Sequence, residues 1–434
     1  MGTDTALDVW AGFAAGASAQ PFNDKLSLHV ADGVIALLAG RRSHEGKALA
    51  RFFQRTESSP LAVLSANAAA MRLSEIDDIH RSSGVTASAI ALPAALAMAA
   101  FGSAQPQRFA DAVMVGQSLA IQLALAMGGA RLMAQGLWPS YLVAPVGAAA
   151  TAGRMLGLPV SRMRHALAIA LAHTPRSVGR STGSRPARWL LFANAVRSGC
   201  LAALAAADGV DGDPGLLDDA WLRAVGGSLA QTSDQPPVPR VHELSIKPHC
   251  AAKQTLAAIE GLQLLMAEGF APASIDSIEV RVPSAYAAMI DREPPSASRL
   301  ASMVSVRWQL ALAALHPAML DDVSRDVFPD DAALQALAAR VVVMADASLD
   351  KHYPQAWPAH VMVRAGGASR EVLVTQSRGD PELALDAAGV RAKATRMLGS
   401  HPDAALVDQA FNATTDAAAL AALCGYFSAS HQAL

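Results

Sequence analysis

The chain has 434 residues, 52% of them hydrophobic and only 17% charged, with a net charge of −2. That balance excludes a disordered chain, and with no dense Lys/Arg stripe it argues against nucleic-acid binding. Length predicts two or three domains, and an apolar set dominated by alanine predicts a mostly helical protein. The three cysteines, Cys200, Cys250 and Cys424, lie far apart. They support neither a disulfide framework nor a zinc cluster, and they fit a reducing compartment. The N-terminus MGTDTALDVW lacks a basic leader region, so no signal peptide and a cytoplasmic location are expected. Two uncharged stretches, Val85–Gln105 and Ala112–Ala130, approach membrane length. Their Ala, Gly and Ser content reads as buried helix rather than as a span.

In chain order, residues 5–20 and 26–39 read as helices, the second with Gly40 as C-cap. Gly46–Gln54 is a short helix, and Pro60 starts another that runs to Leu73. The next stretch, Leu73–Ala95, carries Glu75, Asp77, Asp78 and His80 and then an apolar run with no charge from Val85 to Ala100. On a helix, Glu75 would share a face with Asp78, and Asp77 with His80 or Arg81. Carboxylates at the mouth of a buried helix are candidates for shifted pKa values and proton transfer. A solvated turn with Asp–Arg pairing is the commoner reading of such a cluster. Pro93 is expected to kink the apolar run or begin a new turn. Phe109–Met127 is helical. Trp138-Pro139-Ser140 breaks the pattern, and Pro145 opens a small-residue helix. Val160–His173 and Arg188–Ala206 are helices. Between them Thr174–Pro186 reads as a functional loop rich in Ser, Thr, Gly and Arg.

Thr232–Arg240 reads as a proline-rich linker. Beyond it, Ser277–Val282, Arg340–Met344, His360–Arg364 and Glu371–Val374 read as strands. Helices at Lys253–Ala267, Val306–Ala314 and Ala332–Ala339 separate them. From Ala387 onward the chain is helical and Ala-rich again. The fold expected is mainly α in two domains. A large all-helical domain takes residues 1–240 and 390–434, and a smaller α+β domain takes 241–389.

Lys247 precedes Pro248, His249 and Cys250 directly before a helix start, a position suited to binding an anionic substrate. His249 and Cys250 have no base or metal spacing beside them and read as structural rather than catalytic, and His242 and Glu243 show no metal-ligand spacing, so no metal is expected.

Six segments in order resemble the MmgE/PrpD family, which includes 2-methylcitrate dehydratase, cis-aconitate decarboxylase and iminodisuccinate epimerase. They are DGVIALLAG (32–40), ANAAAMRLSEIDDIH (66–80), ALPAALAMA (91–99), WPSYLVAPVGAAATAGRMLGL (138–158), KPHCAAKQTLAAIEG (247–261) and RGDPELAL (378–385). The resemblance implies a helical domain, an α+β lid, an active site between them, a homodimer, and neither organic cofactor nor metal. The implied substrate is a small carboxylate that loses a proton next to a carboxylate group. Loss of water, loss of carbon dioxide or return of the proton on the other face then follows. Glu75 and Asp78 stand at family acidic positions and Lys247 at the family lysine. Thr86 and Trp138 stand where the family carries histidines, Arg188 where it carries lysine, and Trp308 where it carries tyrosine.

The site expected is therefore Lys247, Asp78, Glu75 and His80 as catalytic groups. Arg188, Thr86, Trp138, Trp308 and His249 are the substrate-binding residues. Arg188 and Lys247 supply cations, and the two tryptophans make the pocket larger and drier. Asp78 or Glu75 is the base, with His80 titrating nearby and Lys247 as the rival base. A lyase is expected first and an isomerase or epimerase second. A carboxylate-binding relative without turnover is the third reading. Neither nucleic acid nor membrane is expected as a partner.

Overall fold

The computed structural model describes residues 5–57, 59–102, 104–174, 187–224, 236–292, 299–324 and 331–429. Most of the Thr174–Pro186 loop and the start of the Thr232–Arg240 linker fall outside these. The chain divides into two units. The first takes residues 1–73, 77–244 and 386–434, and the second takes 74–76 and 245–385.

Among the described residues the first unit is helical apart from a two-residue strand, Ile79–His80, and the first residue of another, Leu244. Its main helices are α1 (Ala6–Gly16), α2 (Asn23–Arg42), α3 (His44–Thr56), α4 (Pro60–Leu73), α5 (Ala87–Met98), α6 (Pro106–Ala126), α7 (Pro139–Leu156), α8 (Val160–Ala172) and α9 (Ala187–Ala207). A Thr5/Asp8 capping box opens α1, and Ser43 caps α3, each satisfying backbone donors left bare at a helix start. Helix α7 packs against α6 and α9 through small residues. A Cβ added to Gly116 would stand 1.8 Å from the Thr151 hydroxyl, so only glycine allows that approach. Helix α7 begins at Pro139 rather than at the expected Pro145. Proline is well suited to the first helical position, and the buried helix continues through Pro145. Pro93 likewise lies inside α5. Helices α6 and α9 have the length and apolar content to cross a membrane. In α6, 94% of the most apolar stretch is buried within the fold.

The second unit is α+β. Strands β1 (Ile275–Val282), β2 (Val341–Ala345), β3 (Ala359–Ala365) and β4 (Ala368–Val374) form a sheet in the order β2-β1-β3-β4. The β1–β2 pair is parallel and the other two are antiparallel. Ile278, Val280 and Val282 of β1 and Val361 and Val363 of β3 turn to one buried face, the period-2 alternation seen in the sequence. Helix α10 (Lys253–Ala267) covers β3 and β4, with α11 (Val306–Leu315) against it and α12 (Ala332–Ala339) against α11. Three C-terminal helices, α13 (Ala387–Leu398), α14 (Leu406–Asn412) and α15 (Ala417–Ala429), belong to the first unit. Of these, α13 and α14 pack on α2.

Candidate functional site

The segment that carries Lys247 is held from both sides by backbone and side-chain bonds within the α+β unit. Ile246 N–H donates to the Gly379 carbonyl (2.9 Å). The Ser245 hydroxyl donates to Asp380 Oδ1 (2.8 Å), and Lys253 Nζ lies 2.7 Å from the same oxygen. The RGDPELAL segment thus serves as a bracket. Its aspartate binds one group upstream of Lys247 and one downstream. Gly379 has φ +90°, and an added Cβ would fall 2.0 Å from the Ile246 carbonyl oxygen, so the bracket closes only on glycine. Beyond Pro248, Cys250 N–H donates to Leu320 O and Ala252 N–H to Met303 O, each at 2.9 Å.

Lys247 is buried, and its ammonium lies 3.7 Å from the buried carboxylate of Glu75. Cys250 Sγ–H donates to Ser74 O (3.1 Å), which fixes the residue before Glu75. Glu75 has φ +58° and is the only non-glycine in the left-handed region among the described residues. Such backbone costs of order 1–3 kcal/mol and persists only where its surroundings over-determine it. It also corrects the expectation of shared helical faces. Helix α4 ends at Leu73, and a left-handed residue two positions on stops any continuation. His249 donates from Nδ1 to Asp321 Oδ1 at 2.8 Å. Trp308 is buried at the start of α11, where its backbone N–H reaches the Ser305 cap (3.5 Å).

In the helical unit the rest of the acidic cluster is also buried, not solvated. Asp77 pairs with Arg72 at 3.4 Å, an Asp–Arg pair sealed from water. Asp78 Oδ1 accepts Ser88 N–H (3.0 Å), Oδ2 accepts the Ser88 hydroxyl, and His29 Nδ1 is 3.2 Å away. Asp78 thereby anchors the N-terminus of α5. His80 Nδ1 accepts Ser83 N–H (3.1 Å), which leaves the proton on Nε2 to donate to Glu243 Oε2 (2.8 Å). Burial lowers the His80 pKa, and the bond to Glu243 opposes this. Burial would raise Glu243, but His80 and Arg240 outweigh it and hold the carboxyl at about 2.

Thr86 stands at the α5 N-cap, where its N–H and hydroxyl bond the Ser140 hydroxyl at 3.0 and 3.2 Å. Trp138 is half-buried two residues before Ser140. The Arg188 guanidinium lies 5.8 Å from the Trp138 ring centroid and 4.6 Å from that of Trp189.

Sequence reasoning weighed Glu243 only as a metal ligand, and it did not single out Asp321, Arg240 or Asp380. Asp380 stood in a quoted motif and was legible there. Asp321 follows a leucine in an ordinary acidic pair and gave no signal. Among the described residues no group of three or more His, Cys, Asp or Glu side chains is arranged to hold a metal ion.

No curated protein sequence matches the chain. The MmgE/PrpD N-terminal domain matches residues 10–237, and the MmgE/PrpD C-terminal domain matches residues 249–417. With both halves matched in order along nearly its whole length, the chain belongs to the MmgE/PrpD family.

Proposed function

We propose that the protein is a cofactor-independent lyase, of the dehydratase or decarboxylase type, that removes a proton next to a carboxylate of a small organic acid. Family membership supports the reaction class. One observation carries the assignment to this chain: a buried ammonium, Lys247, opposite a carboxylate held on left-handed backbone. A carbanion next to a carboxylate is stabilised as an enediolate, and a fixed positive charge lowers its energy. In a dry interior that charge acts over several ångströms without direct contact. Glu75 sets the position of the ammonium. The same proposal takes the enzyme as a cytoplasmic homodimer that works with neither organic cofactor nor metal.

A second reading has its own support. Thr86 and Ser140 spend their hydroxyls on each other, and Trp138 carries no acid. These positions supply no group to protonate a departing hydroxide. That favours an isomerase or epimerase, which returns the abstracted proton to carbon.

The test is incubation with succinate, malate, citrate, cis-aconitate and 2-methylcitrate in deuterium oxide, followed by proton NMR. Alkene or carbon dioxide release identifies a lyase. Exchange without net product identifies an epimerase. Binding without exchange across the panel rejects both. Lys247→Ala is expected to abolish turnover while circular dichroism shows the fold kept. Wild-type turnover in that variant removes Lys247 from the site.

A further inference from the structure

We propose that His249, oriented by Asp321, is the proton acceptor of this reaction; the assignment rests on the carboxylate chemistry proposed at Lys247. Three observations in the α+β unit carry it. First, the backbone bond from Cys250 to Leu320 sets residue 321 beside residue 249, and the Asp321 carboxylate receives Nδ1–H at 2.8 Å. With the proton fixed on Nδ1, the Nε2 lone pair is the basic one. A carboxylate behind an imidazole also stabilises the imidazolium that forms on proton uptake.

Second, exposure ranks the four charged or titratable groups of this segment. Lys247 is 2% exposed, Asp321 7% and Glu75 8%, whereas His249 is 17% exposed. A proton acceptor must touch its substrate, whereas a stabilising cation need not. Third, Lys247 and His249 are two residues apart, so their Cα atoms lie within about 7 Å. Both groups therefore belong to one short segment held by the same backbone bonds. Lys247 itself is already engaged with Glu75.

In the step proposed, the C–H bond next to the carboxylate breaks and its proton bonds to Nε2 of His249. The electron pair stays on the substrate as an enediolate, stabilised by the Lys247 ammonium. Return of the proton to carbon gives exchange or inversion. In the dehydratase direction the pair forms the alkene as the β-hydroxyl leaves with its bonding pair and takes up the proton held on His249, giving water.

His249→Gln is expected to lower the exchange rate on the most active panel acid by roughly 10²–10⁴-fold. His249→Ala should regain part of the rate with added imidazole, which a merely structural histidine would not show. Asp321→Asn, at a positioning residue, should lower kcat with KM little changed. In nitrogen-15 NMR it should also convert His249 from the Nδ1–H to the Nε2–H tautomer. Full activity in His249→Gln, in an enzyme that exchanges substrate protons, overturns this assignment and leaves the proposed function standing. A wild-type Nε2–H tautomer at His249 overturns it without any activity measurement, even if the variants do not fold. A wild-type protein inert on the whole panel overturns the carboxylate chemistry itself.

Discussion

At the scale of single residues, the geometry around Lys247 depends on one missing methyl group. Gly379 combines φ +90° with a backbone oxygen 2.0 Å from where a Cβ would stand. Gly136 is a control, with φ +80°, ψ +10° and nothing within 4 Å of its Cβ position. Gly136→Ala should cost only left-handed strain, roughly 1–2 kcal/mol. Gly379→Ala should cost clearly more, because Ile246 must move, and activity should fall because Lys247 follows it. Urea unfolding of the two variants compares them. Equal costs would mean that the bracket tolerates a side chain. Gly379 was visible in the sequence only as one letter of RGDPELAL, because its reason is a contact with a segment more than 130 residues earlier. Glu75 shows the same limit. A helical continuation past Leu73 was the natural reading of its spacing, and the left-handed turn is imposed by neighbours, Cys250 among them, that local propensity does not see.

At the scale of elements, the strongly periodic segments were legible. The helices at Lys253–Ala267 and Ala332–Ala339 were placed to the residue, and all four strands of the sheet were found within a few residues of their ends. The start of α7 was misplaced because Pro139 and Pro145 carry the same local signal, and the helix begins at the first and runs through the second. The end of α5 nearest the acidic cluster illustrates a cap supplied from outside the helix. Thr86 occupies the N-cap position but spends its hydroxyl on Ser140, and Asp78 accepts the Ser88 N–H in its place. Asp78→Ala should therefore remove a cap, about 0.5–2 kcal/mol, and strand buried donors at about 1–3 kcal/mol more. Ser88→Ala loses only the hydroxyl bonds and should cost less. If urea unfolding ranks the two variants equal, the anchoring role of Asp78 is lost. This anchoring gives the burial of Asp78 a cause independent of proton transfer.

At the scale of the whole chain, the last helices are tied to the first ones by a buried charge pair. Lys393 of α13 and Asp32 of α2 meet with no solvent access to either side chain, in the same helical unit although 361 residues apart in sequence. Burial raises the Asp32 carboxyl to about 6 against the pull of Lys393, with the Asp78 charge adding to the rise and His29 opposing it. The sign of the pH dependence follows. A folded-state value above the unfolded 3.8 means that the folded chain binds the extra proton. The stability from Asp32 is fully present below about pH 3.8 and is lost as pH rises through about 6. Glu243, held at about 2, works the other way, and its contribution fades as pH falls below its unfolded value of 4.5. Removing one partner of a buried pair typically costs about 3–5 kcal/mol, because the other charge is left uncompensated. Lys393→Met should show that cost at pH 7.5, where Asp32 is ionised. It should cost less at pH 5, where Asp32 is protonated and its attraction to the lysine charge is already lost. The double variant Asp32→Leu/Lys393→Met should be more stable than the sum of the two single changes predicts. Denaturation midpoints of the full chain at the two pH values give the answer. A Lys393→Met cost that does not change with pH would show that Asp32 stays ionised throughout, and no cost at either pH would show that the tail is held by packing alone.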